Sequence, residues 1–112
     1  MHALEVLKVD PSILRVAVLD EAGRVLSYAE SEEGKEENLP KDPPLMINVL
    51  VRSSLLDALP KELGKVKFNV VVTDKYRLIV LVLGQNTVMF ALPLDAIPDA
   101  ICDKLIKRYS SS

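Results

Sequence analysis

Residues 66–92, VKFNVVVTDKYRLIVLVLGQNTVMFAL, constrain the fold more than any other stretch of this chain. β-Branched, leucine and aromatic side chains dominate them, and two groups of turn residues cut them into three pieces. They read as a meander: Val66 to Val72, a turn at Thr73-Asp74-Lys75, Tyr76 to Leu83, a turn at Gly84-Gln85-Asn86, then Thr87 to Leu92. The middle strand holds Leu78 to Leu83, LIVLVL, without the polar–apolar alternation of a half-solvated strand. A continuous apolar run of this kind belongs at the centre of a sheet with both faces covered. Helices of this chain, or a partner, must therefore supply a layer on each side.

The remaining segments fit that demand within one domain, residues 1–112, a length that supports one modest core. Ile13 to Glu30, ILRVAVLDEAGRVLSYAE, is a β-hairpin: Leu14 to Leu19 and Arg24 to Ala29 flank DEAG, and Gly23 takes the positive-φ place in the turn. Residues 1–11 fit a helical turn or a short strand equally well. Pro43 to Leu59, PPLMINVLVRSSLLDAL, reads as a helix closed by Pro60 and Gly64. At the end of the chain, Ile97, Ile101 and Leu105 recur every fourth residue, with Cys102, Ile106 and Tyr109 widening the stripe. Asp95 is the expected N-cap of this last helix, and Pro98 falls in its first turn, where proline is tolerated. Residues 110–112 are a frayed tail.

Charge narrows the possible partners. The net charge is −2, so no basic excess is available to neutralise phosphates, which argues against nucleic-acid binding. Glu30 to Glu37 carries five Glu and one Lys, a local charge of −4 that leaves about +2 on the rest. With the prolines that follow, residues 30–44 read as a solvated acidic loop; the functional alternative is a docking segment for a basic partner. No apolar run is long enough to span a bilayer and no signal peptide is evident at the start, so a cytoplasmic location is the default.

Catalytic chemistry finds no foothold. Metal binding needs clustered ligands, but the chain has one His, His2, and one Cys, Cys102, at opposite ends. Cys102 lies on the apolar edge of a helix with no basic pattern beside it, so it reads as a buried structural thiol. No base stands near a nucleophile in sequence, and Gly23, Gly34, Gly64 and Gly84 are scattered singly rather than forming a phosphate loop. No cofactor is implied and no enzymatic role is expected.

The order strand–strand–helix–strand–strand–strand–helix resembles the roadblock/longin group of profilin-like domains. The resemblance lies in RVAVLDEAGRVLSYAE as the first hairpin, the long middle helix, and YRLIVLVLGQNTVMFAL as the last hairpin, covering about residues 13–108. LGKVKFNVVVTDKYRLIVLVLGQNTVMFALP is similar to small archaeal members of this group. What the resemblance implies is an α/β domain with a five-stranded antiparallel sheet of order 2-1-5-4-3, the middle helix on one face and the terminal helix on the other. It also implies a non-catalytic interaction platform that dimerises through the middle helix and the following strand. Heterologous partners would be a small Ras-like GTPase or another roadblock-like subunit. The rival function for a profilin-like sheet is a small-ligand sensor, and the scarcity of aromatic residues, 4% of the chain, counts against a pocket.

The middle helix carries two apolar sides. At 100° per residue, Leu45, Val49, Leu56, Leu59 and Leu63 fall near one line, suited to the sheet. Ile47, Val51, Leu55 and Ala58, with Ser54 among them, fall roughly opposite. The acidic loop offers only Leu39 as a large apolar cover, so a second copy of the helix is the better occupant of that side. The expected homodimer interface is therefore Ile47, Leu50, Val51, Ser54, Leu55 and Ala58, continued along the sheet edge by Val66, Phe68 and Val70.

Overall fold

The structure is a computed structural model, which describes residues 1–36, 59–64 and 66–109. Helix α1 spans Ala3–Leu7, strands β1 and β2 span Arg15–Leu19 and Val25–Glu30, and helix α2 spans Glu32–Glu36. After a 3-10 turn at Lys61–Leu63 come β3, Asn69–Val72, β4, Tyr76–Leu83, β5, Asn86–Pro93, and helix α3, Pro98–Tyr109. The five strands form one antiparallel sheet of order β2-β1-β5-β4-β3. This is the sheet order that the resemblance to roadblock/longin domains implies.

Cross-strand register assigns each side chain to a face, because directly opposed residues point the same way. The row Ala29–Val16–Phe90–Ile79–Val70 lies on one face, and Val18, Val88 and Leu81 form the next row. All of these but Val70 pack into the core with Ala3 and Val6 of α1 and Ile101, Cys102 and Leu105 of α3. The opposite face carries Ala17, Leu19, Val80 and Ala91, all buried, so β4 is apolar on both sides as LIVLVL requires. The middle helix expected over 43–59 lies outside the described residues, apart from Leu59. The tail at 110–112 lies outside them too.

Several boundaries differ from the sequence reading, each for a local reason. Residues 1–11 resolve as a helical turn, because the His2 imidazole Nδ1 accepts the Leu4 N–H at 3.0 Å while Glu5 reaches back to the His2 N–H at 3.1 Å. Part of the expected acidic loop is helix α2. Ser31 Oγ accepts the Gly34 N–H at 3.0 Å, and Glu32 and Glu33 suit the positive end of the helix.

Val66 to Phe68, expected as the start of a strand, precede β3, which begins at Asn69. Helix α3 starts at Pro98, where a missing N–H costs nothing, so Asp95 sits ahead of the cap and Ile97 is exposed rather than in the buried stripe. Leu59 and Leu63, expected to cover the sheet, are 42% and 69% exposed. Leu63 belongs to the 3-10 turn Lys61–Leu63 that follows Pro60.

Candidate interaction surface

The two edges of the sheet are finished differently. At β2, a bulge places Leu26 as an extra residue between the pairs Val18–Ser27 and Leu19–Val25, and the Ala3 N–H of α1 donates to Ser27 Oγ at 2.9 Å. Bulges and covering segments are common ways of closing an edge to further pairing. β3 is short, and among the described residues it has neither device. Its residues, Asn69 to Val72, include no charge and no proline, and their register with β4 is regular.

The turn after β3 fixes which of its backbone groups are free. The Thr73 N–H donates to the Tyr76 carbonyl at 2.9 Å across a two-residue turn, and Thr73 Oγ1 accepts the N–H groups of Lys75 and Tyr76. Successive residues of a strand aim their N–H and C=O to opposite sides, so narrow and wide pairs alternate away from Thr73–Tyr76. Val71 is thus committed to Leu78 of β4, and Val70 and Val72 turn both backbone groups to the free side. Their side chains lie on the α1–α3 face, beyond the cover of α3, and are 39% and 62% exposed. An uncharged edge with exposed valines is a template for another strand.

The side of α3 that meets α1 is also defined. Tyr109 OH lies 3.5 Å from the Glu5 carboxylate of α1, and the Lys104 ammonium helps to hold the Asp10 carboxyl below its usual range, behind the larger effect of hydrogen bonds from Ser12. Tyr109 and Lys104 of α3 therefore reach toward α1 and the loop after it, and Asp99 and Asp103 lie near Cys102. Cys102 is buried beneath them. Its thiol is pushed up to about 12 by burial, reinforced by Asp99 and Asp103. That is an inert structural thiol.

A polar cluster anchors the β1–β2 end of the opposite face. Arg15 and Glu30 pair at 3.1 Å with little exposure of either side chain, the Tyr28 hydroxyl donates to the same Glu30 oxygen at 3.1 Å, and the guanidinium lies 5.4 Å from the Tyr28 ring centre. Burial pushes the Tyr28 hydroxyl up to about 12. Beside this cluster α2 is pinned to β1. Ser31 N–H and Oγ both donate to the Leu14 carbonyl, and a methyl group on Gly34 would stand 2.0 Å from that same oxygen. The cluster and α2 hold β2 to β1 at one edge of the sheet.

Of the residues expected at the interface, Ile47, Leu50, Val51, Ser54, Leu55 and Ala58 lie outside the described residues. Val66 and Phe68 are half-buried ahead of β3, Phe68 against the edge of the core, and Val70 stands on the free edge. Val72 was missed by sequence reasoning. The two-residue turn Asp74-Lys75 was the available signal, since it sets the alternation that turns Val72 outward. Among the described residues, no group of three or more His, Cys, Asp or Glu could hold a metal ion, and no helix is long and apolar enough to cross a membrane.

Neither a protein-family model nor a curated protein matches the chain. Solved structures do. MglB in a tetrameric arrangement superposes with a TM-score of 0.70 at 21% identity, over 97% of this chain and 79% of that one. The gliding protein MglB from Thermus thermophilus gives 0.69 at 22% identity, over 97% and 80%. The roadblock/LC7 domain from Streptomyces avermitilis gives 0.61 at 16%, over 96% and 92%. At these identities the likeness is one of fold, and the fold is that of the roadblock/longin-like domains.

Proposed function

We propose that this chain is a single-domain, non-catalytic interaction platform of roadblock/longin type, acting as a homodimer joined at β3. The observation that carries the reading is the β3 edge: regular, uncharged, lined by exposed Val70 and Val72, and among the described residues left open where β2 is closed. One similar structure, MglB, is described in a tetrameric arrangement, which supports assembly as a use of this fold. The apolar side expected for Ile47, Leu50, Val51, Ser54, Leu55 and Ala58 would continue the interface beside the strand. In a roadblock-like role the heterologous partner is a small Ras-like GTPase or another roadblock-like subunit.

Light scattering at micromolar concentration tests the assembly. The parent chain should have the mass of a dimer, and Val51→Glu, which sets a charge in the interface where unpaired burial costs several kcal/mol, should be monomeric or aggregate. A parent that is monomeric at that concentration overturns the reading.

A further inference from the structure

We infer that Arg77 is the recognition point for a carboxylate of a partner protein, an Asp or Glu side chain carried beside apolar residues. The site goes beyond the assembly proposed above and does not rest on it, because Arg77 belongs to β4, one strand in from the β3 edge.

Register places the side chain. Arg77 stands opposite Val72 of β3 on one side and Leu92 of β5 on the other, two residues before Ile79 on its own strand. Leu92 and Ile79 are buried in the core on the α1–α3 face, so the Arg77 side chain leaves the sheet on that face. It is the one charged residue in an otherwise apolar and aromatic strand. The residue is half-buried, and its Nε is shut off from solvent without a hydrogen-bond partner.

What sets Arg77 apart is a missing counter-charge. Arg15 pairs with Glu30, Arg24 with Asp20 and Lys35 with Glu32. Among the described residues no carboxylate pairs with Arg77, and Asp74 in the adjoining turn makes no ion pair with it. A shielded donor left unpaired carries a desolvation cost, which an acceptor from outside removes. A carboxylate arriving at the terminal nitrogens lets the guanidinium turn its Nε–Nη edge toward the two oxygens and form two parallel hydrogen bonds.

Charge and surroundings set the class of ligand. One guanidinium balances one carboxylate. A phosphate carries more charge and calls for further donors, yet the other cation of this hairpin, Lys75, is exposed in the turn. The groups flanking Arg77 are apolar: buried Leu92 and Ile79, exposed Val72, and exposed Val70 beyond it on the same face. A protein segment brings apolar cover for those valines together with its carboxylate, and a free anion does not.

Arg77→Met and two tripeptides, each capped at both ends, test this. In urea unfolding Arg77→Met should have a midpoint equal to or above the parent's, because it keeps an unbranched apolar stem and removes a donor that has no partner. Valyl-glutamyl-valine and valyl-glutaminyl-valine are then titrated into the parent at constant ionic strength, with the Arg77 Nε–Hε signal followed by NMR. The glutamyl peptide should move that signal at a concentration about tenfold or more below that of the glutaminyl peptide. In Arg77→Met, followed through the amides of Val72 and Leu92, the two peptides should bind alike. Equal binding of the two peptides to the parent overturns the proposal. So does inorganic phosphate that moves the signal at a lower concentration than the glutamyl peptide, which makes the site one for a free anion. A clear fall in the urea midpoint of Arg77→Met overturns it as well, by making Arg77 a support of the fold.

Discussion

Replacing Val72 by proline separates the free edge of β3 from its role in the fold. The Val72 N–H points away from β4, so the substitution removes no bond of the existing ladder, and edge strands accept proline on that side. Val71 before it is extended, as the residue preceding proline prefers. In a dimer the same change deletes one outward donor per copy. At about 0.5–1.5 kcal/mol for each hydrogen bond, two lost donors weaken the dimer by about 1–3 kcal/mol, roughly 5- to 150-fold in Kd. The pyrrolidine ring, standing where the partner strand would lie, adds to this. Val71→Pro is the contrasting variant, since its N–H belongs to the bond with Leu78. That loss should cost about 1–3 kcal/mol of fold stability, a fall in Tm of roughly 5–20 °C. Sedimentation equilibrium gives Kd, and thermal melts at dilute concentration give the monomer's stability. An unchanged dimer constant for Val72→Pro, or a melt as depressed as that of Val71→Pro, would refute the assignment of free and committed groups along β3.

Two further outcomes follow from the packing. Gly34→Ala should destabilise the fold by about 1–3 kcal/mol in urea unfolding, because the added methyl meets the Leu14 carbonyl at 2.0 Å and forces α2 off β1. At alkaline pH, Cys102 and Tyr28 both ionise later in the folded chain than in the unfolded one, so the unfolded state sheds its protons first. Stability should be intact below about pH 9 and decline from there to about 12, and Cys102→Ala should remove the Cys102 share of that decline in melts taken across this range.

The sheet was legible because its signals are local and redundant. LIVLVL admits only a central strand, and turn residues at Asp20–Gly23, Asp74-Lys75 and Gly84-Gln85 mark three hairpins whose antiparallel order leaves few arrangements. Helix ends were less legible, because caps compete. Asp95 and Ile97 look like a cap and a first apolar position, but Pro98 supplies a better start. Ser31 with Glu32 and Glu33 is a cap signal that the run of glutamates disguised as loop. The Arg15–Glu30–Tyr28 cluster was not visible in the sequence, since it depends on β1 and β2 meeting in the register that sets Arg15 opposite Glu30. The edge site was half legible: Val70 from its strand, and Val72 only once the turn had fixed the alternation.

Amide hydrogen exchange of β3, followed residue by residue by NMR as concentration rises through the dimer transition, tests the central claim most directly. The Val71 amide is held by β4 in either state and should stay protected throughout. The Val70 and Val72 amides should exchange freely in the monomer and slow together as the dimer forms, by at least about tenfold where most of the chain is dimeric. Val70 and Val72 amides that keep exchanging freely in a sample shown by light scattering to be dimeric would contradict the account, because the copies would then be joined somewhere other than the β3 edge.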